Sequence, residues 1–172
     1  MDNIEYSVRD TSLGNLMLVA RNAKLITLDI TKQTEYEIKK GLLVQYPEVS
    51  KSDKPFRVLC LLLDRYLKGE RIDFDIDVDI SQEGVFTQRV LEELRKIPYG
   101  QVRSYGWLAK RLGYVNAARA VGQALKRNPI PIVIPCHRII REDGSIGGFS
   151  MGIQIKERLL AMEGVDVKKP HK

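Results

Sequence analysis

The run Asn128-Pro-Ile-Pro-Ile-Val-Ile-Pro-Cys-His-Arg-Ile-Ile140 restricts this chain more than any other stretch. Proline locks φ, lacks an N–H donor and drives the residue before it towards extended conformations. Pro129, Pro131 and Pro135 therefore argue against a helix or a regular central strand and predict a stiff, largely extended segment. That segment is apolar until it delivers Cys136, His137 and Arg138 in succession. A plain core has no use for so rigid an approach to a thiol. Cys136 is expected to be a nucleophile held in a preset position, with hydrolase, redox and acceptor roles all open on this stretch alone.

The net charge of +6 is unevenly placed. Residues 1–93 carry 13 basic and 17 acidic side chains. Residues 94–141 carry Arg95, Lys96, Arg103, Lys110, Arg111, Arg119, Lys126, Arg127, Arg138 and Arg141 and no carboxylate at all. The remainder is balanced, so the whole excess sits in the segment that ends on Cys136. Such asymmetry points to a polyanionic partner, nucleic acid above all, against the plainer reading of a solvated basic face.

With 172 residues the chain makes one large domain, or a small domain joined to a larger one. No apolar run approaches the ~20 residues that span a bilayer, and Met1-Asp2-Asn3-Ile4-Glu5 does not read as a signal peptide. A cytoplasmic or nucleoid protein with no membrane contact is expected. Two cysteines and two histidines without a Cys-x-x-Cys pair make neither a disulfide framework nor a zinc site. Cys60, within Arg57-Val-Leu-Cys-Leu-Leu-Leu-Asp-Arg-Tyr-Leu67, reads as a buried thiol acting as a small hydrophobe.

Residues 5–9, 15–20 and 25–30 alternate as short strands separated by Leu13-Gly14 and Arg21-Asn-Ala-Lys24, which predicts an antiparallel meander. A helix is expected over Glu35–Gln45. A second starts at Ser52-Asp53-Lys54-Pro55, with Ser or Asp as cap, and stops at Lys68-Gly69. Ile72–Ile80 alternates apolar and acidic residues, as a half-buried extended segment does; its aspartates lack the glycine and glutamate of a calcium loop. It marks the boundary between an acidic domain over 1–80 and a basic one over 81–172, with a polar tail at 167–172. A helix over 85–97 is expected to turn Val85, Phe86, Val90, Leu91 and Leu94 inward and to end at Pro98-Tyr-Gly100.

Ser104 then caps a helix carrying Trp107, Leu108 and Leu112, Gly113 breaks it, and Asn116 caps a second with Ala117, Val121 and Leu125 inward. Helix, short glycine-containing turn and helix make a helix-turn-helix, or two core helices packed on each other. Ala118, Ala120, Gly122 and Ala124 keep the second helix slim, with Arg119, Gln123, Lys126 and Arg127 as its long polar groups. A slim helix suits the narrow minor groove, about 6 Å wide, better than major-groove readout.

A Cys136 nucleophile needs a base, and His137 is the only histidine outside the tail. Neighbours on an extended chain point apart, so a turn or a bridging water must connect the two. Glu163 ends the helix Gly152–Glu163, just before Gly164. A carboxylate in a last turn opposes the macrodipole, which predicts a buried partner unless Glu163 is simply frayed on the surface.

Pro135-Cys-His-Arg138, preceded by Asn128-Pro129 and followed by Gly147-Gly-Phe-Ser150, resembles the active site of the O6-alkylguanine-DNA alkyltransferases. The helix-turn-helix with Arg119 and the helix ending Glu163-Gly164 resemble the same family over residues 85–165, and residues 1–80 do so in outline. The resemblance implies an α/β (α+β) fold, with a ribonuclease-H-like antiparallel sheet and helices followed by a mainly helical domain. It implies irreversible transfer of an alkyl group from guanine O6, and from thymine O4, to Cys136, once per protein and without cofactor or metal. His137, oriented by Glu163, is then the water-mediated base, and Asn128 braces the turn. Tyr105 rotates the nucleotide and protonates the leaving guanine. Arg119 enters double-stranded DNA from the minor groove where the base has flipped out, with Ser104, Ala117, Ala118, Gly122 and Gln123 against the DNA. Ile139, Phe149, Ser150 and Trp107 form the base pocket, and the protein works as a monomer. The aromatic before Ser150 is often tyrosine in that family, so Phe149 forgoes any hydroxyl contact. Two other readings stand beside this one: a non-catalytic, damage-sensing helix-turn-helix protein, and a Cys-His-Glu hydrolase.

Overall fold

The alternating runs of the first third form β1 (Ile4–Thr11), β2 (Gly14–Arg21) and β3 (Lys24–Thr31). These are antiparallel, in register from Ile4↔Arg21 to Thr11↔Gly14, and from Arg21↔Lys24 to Asn15↔Thr31 with a shift of one residue between Val19 and Ala20. The computed structural model describes residues 2–167; the polar tail beyond Val167, with His171, lies outside the described residues. The β2–β3 turn places Asn22 (φ 50°) and Ala23 (φ 64°) in the left-handed region, as tight hairpins require. β4 (Ser50–Lys51) adds parallel to β1, so the meander gains one parallel edge strand and the order is β3-β2-β1-β4.

α1 (Glu35–Gln45) has its expected bounds and a capping box between Thr34 and Glu37. The sheet buries both faces. Ile4, Tyr6, Val19 and Ile26 pack with Ile38 and Leu42 of α1. The opposite face, Leu16, Leu18, Ala20, Leu25 and Leu28, joins a second, larger core. That core continues through Leu59 and Leu63 of α2 (Arg57–Tyr66) into Leu91, Leu108, Val121 and Leu159, so the two halves of the chain share it. Each fully buried leucine there stabilises by about 1.5–3 kcal/mol.

Neither expected cap sits on α2. A 3₁₀ turn, Lys54–Phe56, intervenes; Ser52 Oγ accepts from Lys54 N–H, and the Asp53 carboxylate takes the Ser7 hydroxyl instead. Along 72–80 the alternation survives in burial, with Ile72 inward and Asp73, Asp75 and Asp77 exposed, but pairing is limited to Val78 beside Leu25. Leu25 N–H donates to the Asp77 carbonyl (2.9 Å) and Leu28 N–H to that of Pro129 (2.9 Å). The open edge of β3 is thus covered partly by the acidic strap and partly by the proline-rich run.

α3 (Val85–Leu94) buries Thr87, Val90, Leu91 and Leu94. Val85 is 77 % exposed, because five residues before Val90 lies the far side of a helix. The helix ends at Leu94, three residues short of the expected bound, with Arg95 as cap. Ser104 caps α4 (Tyr105–Arg111), accepting from Trp107 N–H at 3.0 Å. Gly113 turns at φ 84°, and α5 (Ala118–Lys126) follows. Asn116 does not cap α5: it takes φ 62° within the turn, leaving Ala117 at the cap position without a side-chain bond. Ala124, expected on the slim outer face, is buried. Glu93 reaches from α3 to Lys96 (2.6 Å) and Arg111 (2.9 Å), pinning α4 to α3.

Candidate active site

The proline-rich run is not the extended lead-in expected from its sequence. Ile134 N–H reaches back to the Ile130 carbonyl (2.9 Å), and Ile132 stands at φ 75°. The closing bond spans five residues, and Ile132 at its middle takes a left-handed conformation that ordinarily falls to glycine. A β-branched residue there stores on the order of 1–3 kcal/mol of backbone strain. Burial of Ile132 and the β3 tie at Pro129 hold the turn closed. The chain then tightens into a 3₁₀ turn, Cys136–Arg138, and runs out as β6 (Ile139–Ile140) beside β5 (Arg103–Ser104).

Asn128 knits this turn together. Its carboxamide donates to the Ile134 carbonyl (2.8 Å) and to Cys136 Sγ (3.1 Å), and accepts from Ile130 N–H (3.0 Å). Burial pushes the Cys136 thiol up to about 11, against the opposing pull of the Asn128 bond and the Lys156 charge. Cys136 is thus a thiol at neutral pH and needs a base to become a nucleophile.

Behind it lies a closed network centred on Glu163, which follows α6 (Ile153–Met162) and has no exposed side-chain surface. Glu163 Oε1 receives His137 Nε2 (2.8 Å), Arg138 Nη2 (2.9 Å) and the Tyr66 hydroxyl (2.8 Å). Oε2 receives Arg138 Nε (2.9 Å) and Gly100 N–H (2.9 Å). Burial alone raises a carboxyl group, but the hydrogen bonds from His137 and Arg138 and the Arg138 charge outweigh it and hold Glu163 down to about 2. Burial also lowers His137, with Glu163 opposing. Neutral His137 therefore gives its Nε2–H to the ionised carboxylate. That leaves a lone pair on buried Nδ1, which has no partner among the described residues.

In front of Cys136 a cavity of about 850 Å³ opens. Tyr105, Phe149 and Ser150 line it, as do Ala118, Arg119, Gly122, Gln123 and Lys126 from one side of α5. Cys136, only 4 % exposed, forms its floor. Gly147 lies so close to Tyr105 that a Cβ there would stand 2.9 Å from the hydroxyl. Phe149 stands edge-on to the His137 ring, with centroids 6.5 Å apart. Trp107 does not line the cavity: two residues after Tyr105 it points to another side of α4 and stacks under Arg103 instead. Ile139 is fully buried below the lining, its carbonyl engaged by Lys156 Nζ. Ser104 and Ala117 serve at their helix starts, outside the lining.

Sequence reasoning passed over three members of the site. Arg138 had a signal, since a buried carboxylate beside Cys136-His137 calls for a cation. Lys156 is fully buried on the inward side of α6, and burial lowers it to about 8. Its Nζ bonds the Gly148 carbonyl as well (3.2 Å). Its place three and four residues before Leu159 and Leu160 could have revealed it. Tyr66 gave no local signal. Among the described residues no cluster of His, Cys, Asp and Glu could hold a metal, and no helix is long and apolar enough to cross a membrane.

A family model described as "6-O-methylguanine DNA methyltransferase, DNA binding domain" matches residues 85–165, and one described as the "ribonuclease-like domain" of the same proteins matches 4–80. The chain is similar to the methylated-DNA–protein-cysteine methyltransferase of Mycolicibacterium paratuberculosis, 39% identical over 160 residues, covering 93% of this chain and 92% of the relative. It is 36% identical to that of Metallosphaera sedula over 168 residues, covering 97% of each. Among solved structures, the Mycobacterium tuberculosis OGT in complex with DNA superposes with a TM-score of 0.80 at 35% identity, covering 92% of both chains. The methyltransferase of Pyrococcus kodakaraensis gives 0.68 at 27%, covering 94% of this chain and 99% of that one.

Proposed function

Because the chain belongs to the 6-O-methylguanine DNA methyltransferase family and repairs alkylated DNA by direct transfer to its own cysteine, we propose a role for each group of the site. Cys136 is the acceptor. The observation that carries this reading is its position: a thiol braced by Asn128, backed by the His137–Glu163 pair, at the floor of the cavity that Arg119 shares. His137 Nδ1 takes the thiol proton through a bridging water. The sulfur then attacks the alkyl carbon in line with its bond to O6. That bond breaks with its electron pair on the guanine, which receives a proton from Tyr105. Glu163 steadies the imidazolium, which returns its proton to the site as Tyr105 is restored. The balance is one alkyl group moved to sulfur and one proton moved to guanine, and the thioether is not cleaved.

A thiol so deep cannot meet O6 inside a stacked duplex, so the nucleotide must rotate out. Ala118 and Gly122 keep α5 slim enough for the minor groove, and Arg119 fills the gap in the stack. Gln123, Ser104 and Ala117 lie along the DNA, and Phe149 and Ser150 hold the flipped base or the equivalent thymine. Residues 1–80 support the turn while the domain over 81–172 binds DNA and carries the chemistry. One copy suffices, since every group named belongs to one chain. A free acceptor thiol suits the reducing cytoplasm.

Incubation with a duplex bearing a single O6-methylguanine tests this. The expected result is a gain of one methyl mass on the Cys136 peptide, saturating at one per protein. Tight binding with unchanged mass indicates a damage sensor, and repeated turnover of a small ester or amide indicates a hydrolase.

A further inference from the structure

Tyr66 closes α2, in the half of the chain furthest in sequence from the reacting cysteine, yet its hydroxyl stands among the transfer groups. It donates to Glu163 Oε1 at 2.8 Å and lies 3.3 Å from His137 Nε2. The ring is fully buried, edge-on to Phe74 (5.5 Å) and Tyr99 (6.1 Å). Glu163 does not need it for neutrality, since Arg138 already grips both carboxylate oxygens and Gly100 N–H binds Oε2. What Tyr66 does share is the one oxygen on which His137 depends. We infer that Tyr66 is a positioning residue for alkyl transfer: by donating to Glu163 Oε1 it withdraws part of the negative charge that His137 Nε2–H faces, and so keeps His137 neutral and able to take the Cys136 proton.

The charged and titratable groups facing His137 and its carboxylate are Glu163, Arg138, Lys156, Tyr66 and, beyond them, Tyr99, whose hydroxyl binds the Met162 carbonyl. Glu163 alone among them favours the imidazolium. Each donor shared by Oε1 weakens that pull. Burial and the neighbouring carboxylate hold the phenol proton in place, so Tyr66 stays a donor throughout the working range. Removing it concentrates the carboxylate charge on His137, which then holds a proton at higher pH and is a base less of the time.

This inference rests on His137 being the base, and the experiment separates the two. Tyr66→Phe keeps the ring and its aromatic neighbours. Single-turnover transfer from an O6-methylguanine duplex is followed from pH 5 to 9, together with the imidazole NMR titration of His137 in a His171→Gln background. The expected result is a rise in the His137 midpoint of about half a pH unit, with the acid limb of the rate moving by the same amount. Transfer is then about threefold slower on that limb and returns to the wild-type rate towards pH 9. A uniform loss at all pH with an unmoved titration, or a downward shift, overturns it. Should Tyr66→Phe unfold in urea too early to assay, 3-fluorotyrosine placed at position 66 serves instead. As a stronger donor it must move the midpoint down, and an unmoved or raised value is equally fatal. If the wild-type rate does not follow the His137 titration at all, the base assignment fails, whatever Tyr66 does.

Discussion

The two sides of the Cys136 turn are built on opposite principles. Behind it, Glu163, His137, Arg138 and Tyr66 are buried, and they bond one another from three separate stretches of chain. In front, α5 presents Arg119 and Lys126 to solvent, and among the described residues neither of these has an ion pair. The closed side fixes charge and proton positions before any substrate arrives, which is where preorganisation has its largest effect. The open side leaves its charges unanswered until a polyanion supplies the partner. With the roles proposed for these groups, chemistry and recognition are separated by the thickness of one turn.

Glu163→Ala should break the closed side most severely. It strands Arg138 without a counter-ion in the interior, and a single-turnover assay should show transfer slowed by about 10²-fold or more. Urea denaturation should show a loss of about 3–5 kcal/mol. A loss below ~1 kcal/mol, typical of an exposed pair, would erase the contrast between the two sides.

Acid gives a second, somewhat smaller test. Glu163 is held at about 2 against an ordinary 4.5, so its contribution is complete above pH 4.5 and fades as pH falls towards 2. It amounts to roughly 3 kcal/mol, and Glu163→Gln should flatten that part of the stability–pH curve. An unchanged slope would mean that other carboxylates set it.

The open side should yield the smallest and most selective effect. Arg119→Ala should slow repair of duplex DNA about tenfold while changing transfer from free O6-benzylguanine by less than about twofold. Equal losses on both substrates would show that Arg119 belongs to the chemistry.

What the sequence made legible follows local physics. α1 was readable from the stretch before Tyr46-Pro47, its Thr34–Glu37 capping box being an equally local signal that went unused, and the hairpins were readable because apolar alternation is short-range. The helix-turn-helix followed from Ser104 and Gly113, but not its second cap, since Asn116 was used for a left-handed turn rather than a helix start. The prolines foretold rigidity and not shape: two of them fit an extended chain as well as a tight turn, and only packing selects Ile132 at φ 75°. Tyr66 was beyond reach, standing 71 residues before His137 and 97 before Glu163 with no periodicity linking them.

The bond from Leu28 N–H to the Pro129 carbonyl has a consequence for how freely the two halves can vary. It is made by main chain on both sides, so it does not register which side chains the strand carries, provided that position 28 stays apolar for the core. The sheet can drift through many sequences and still deliver the same support to the reactive turn. Proline at position 28, which has no hydrogen to give, is the substitution that cuts the tie directly. A framework that passes on backbone position and very little side-chain information leaves variation free on one side and confines it on the other.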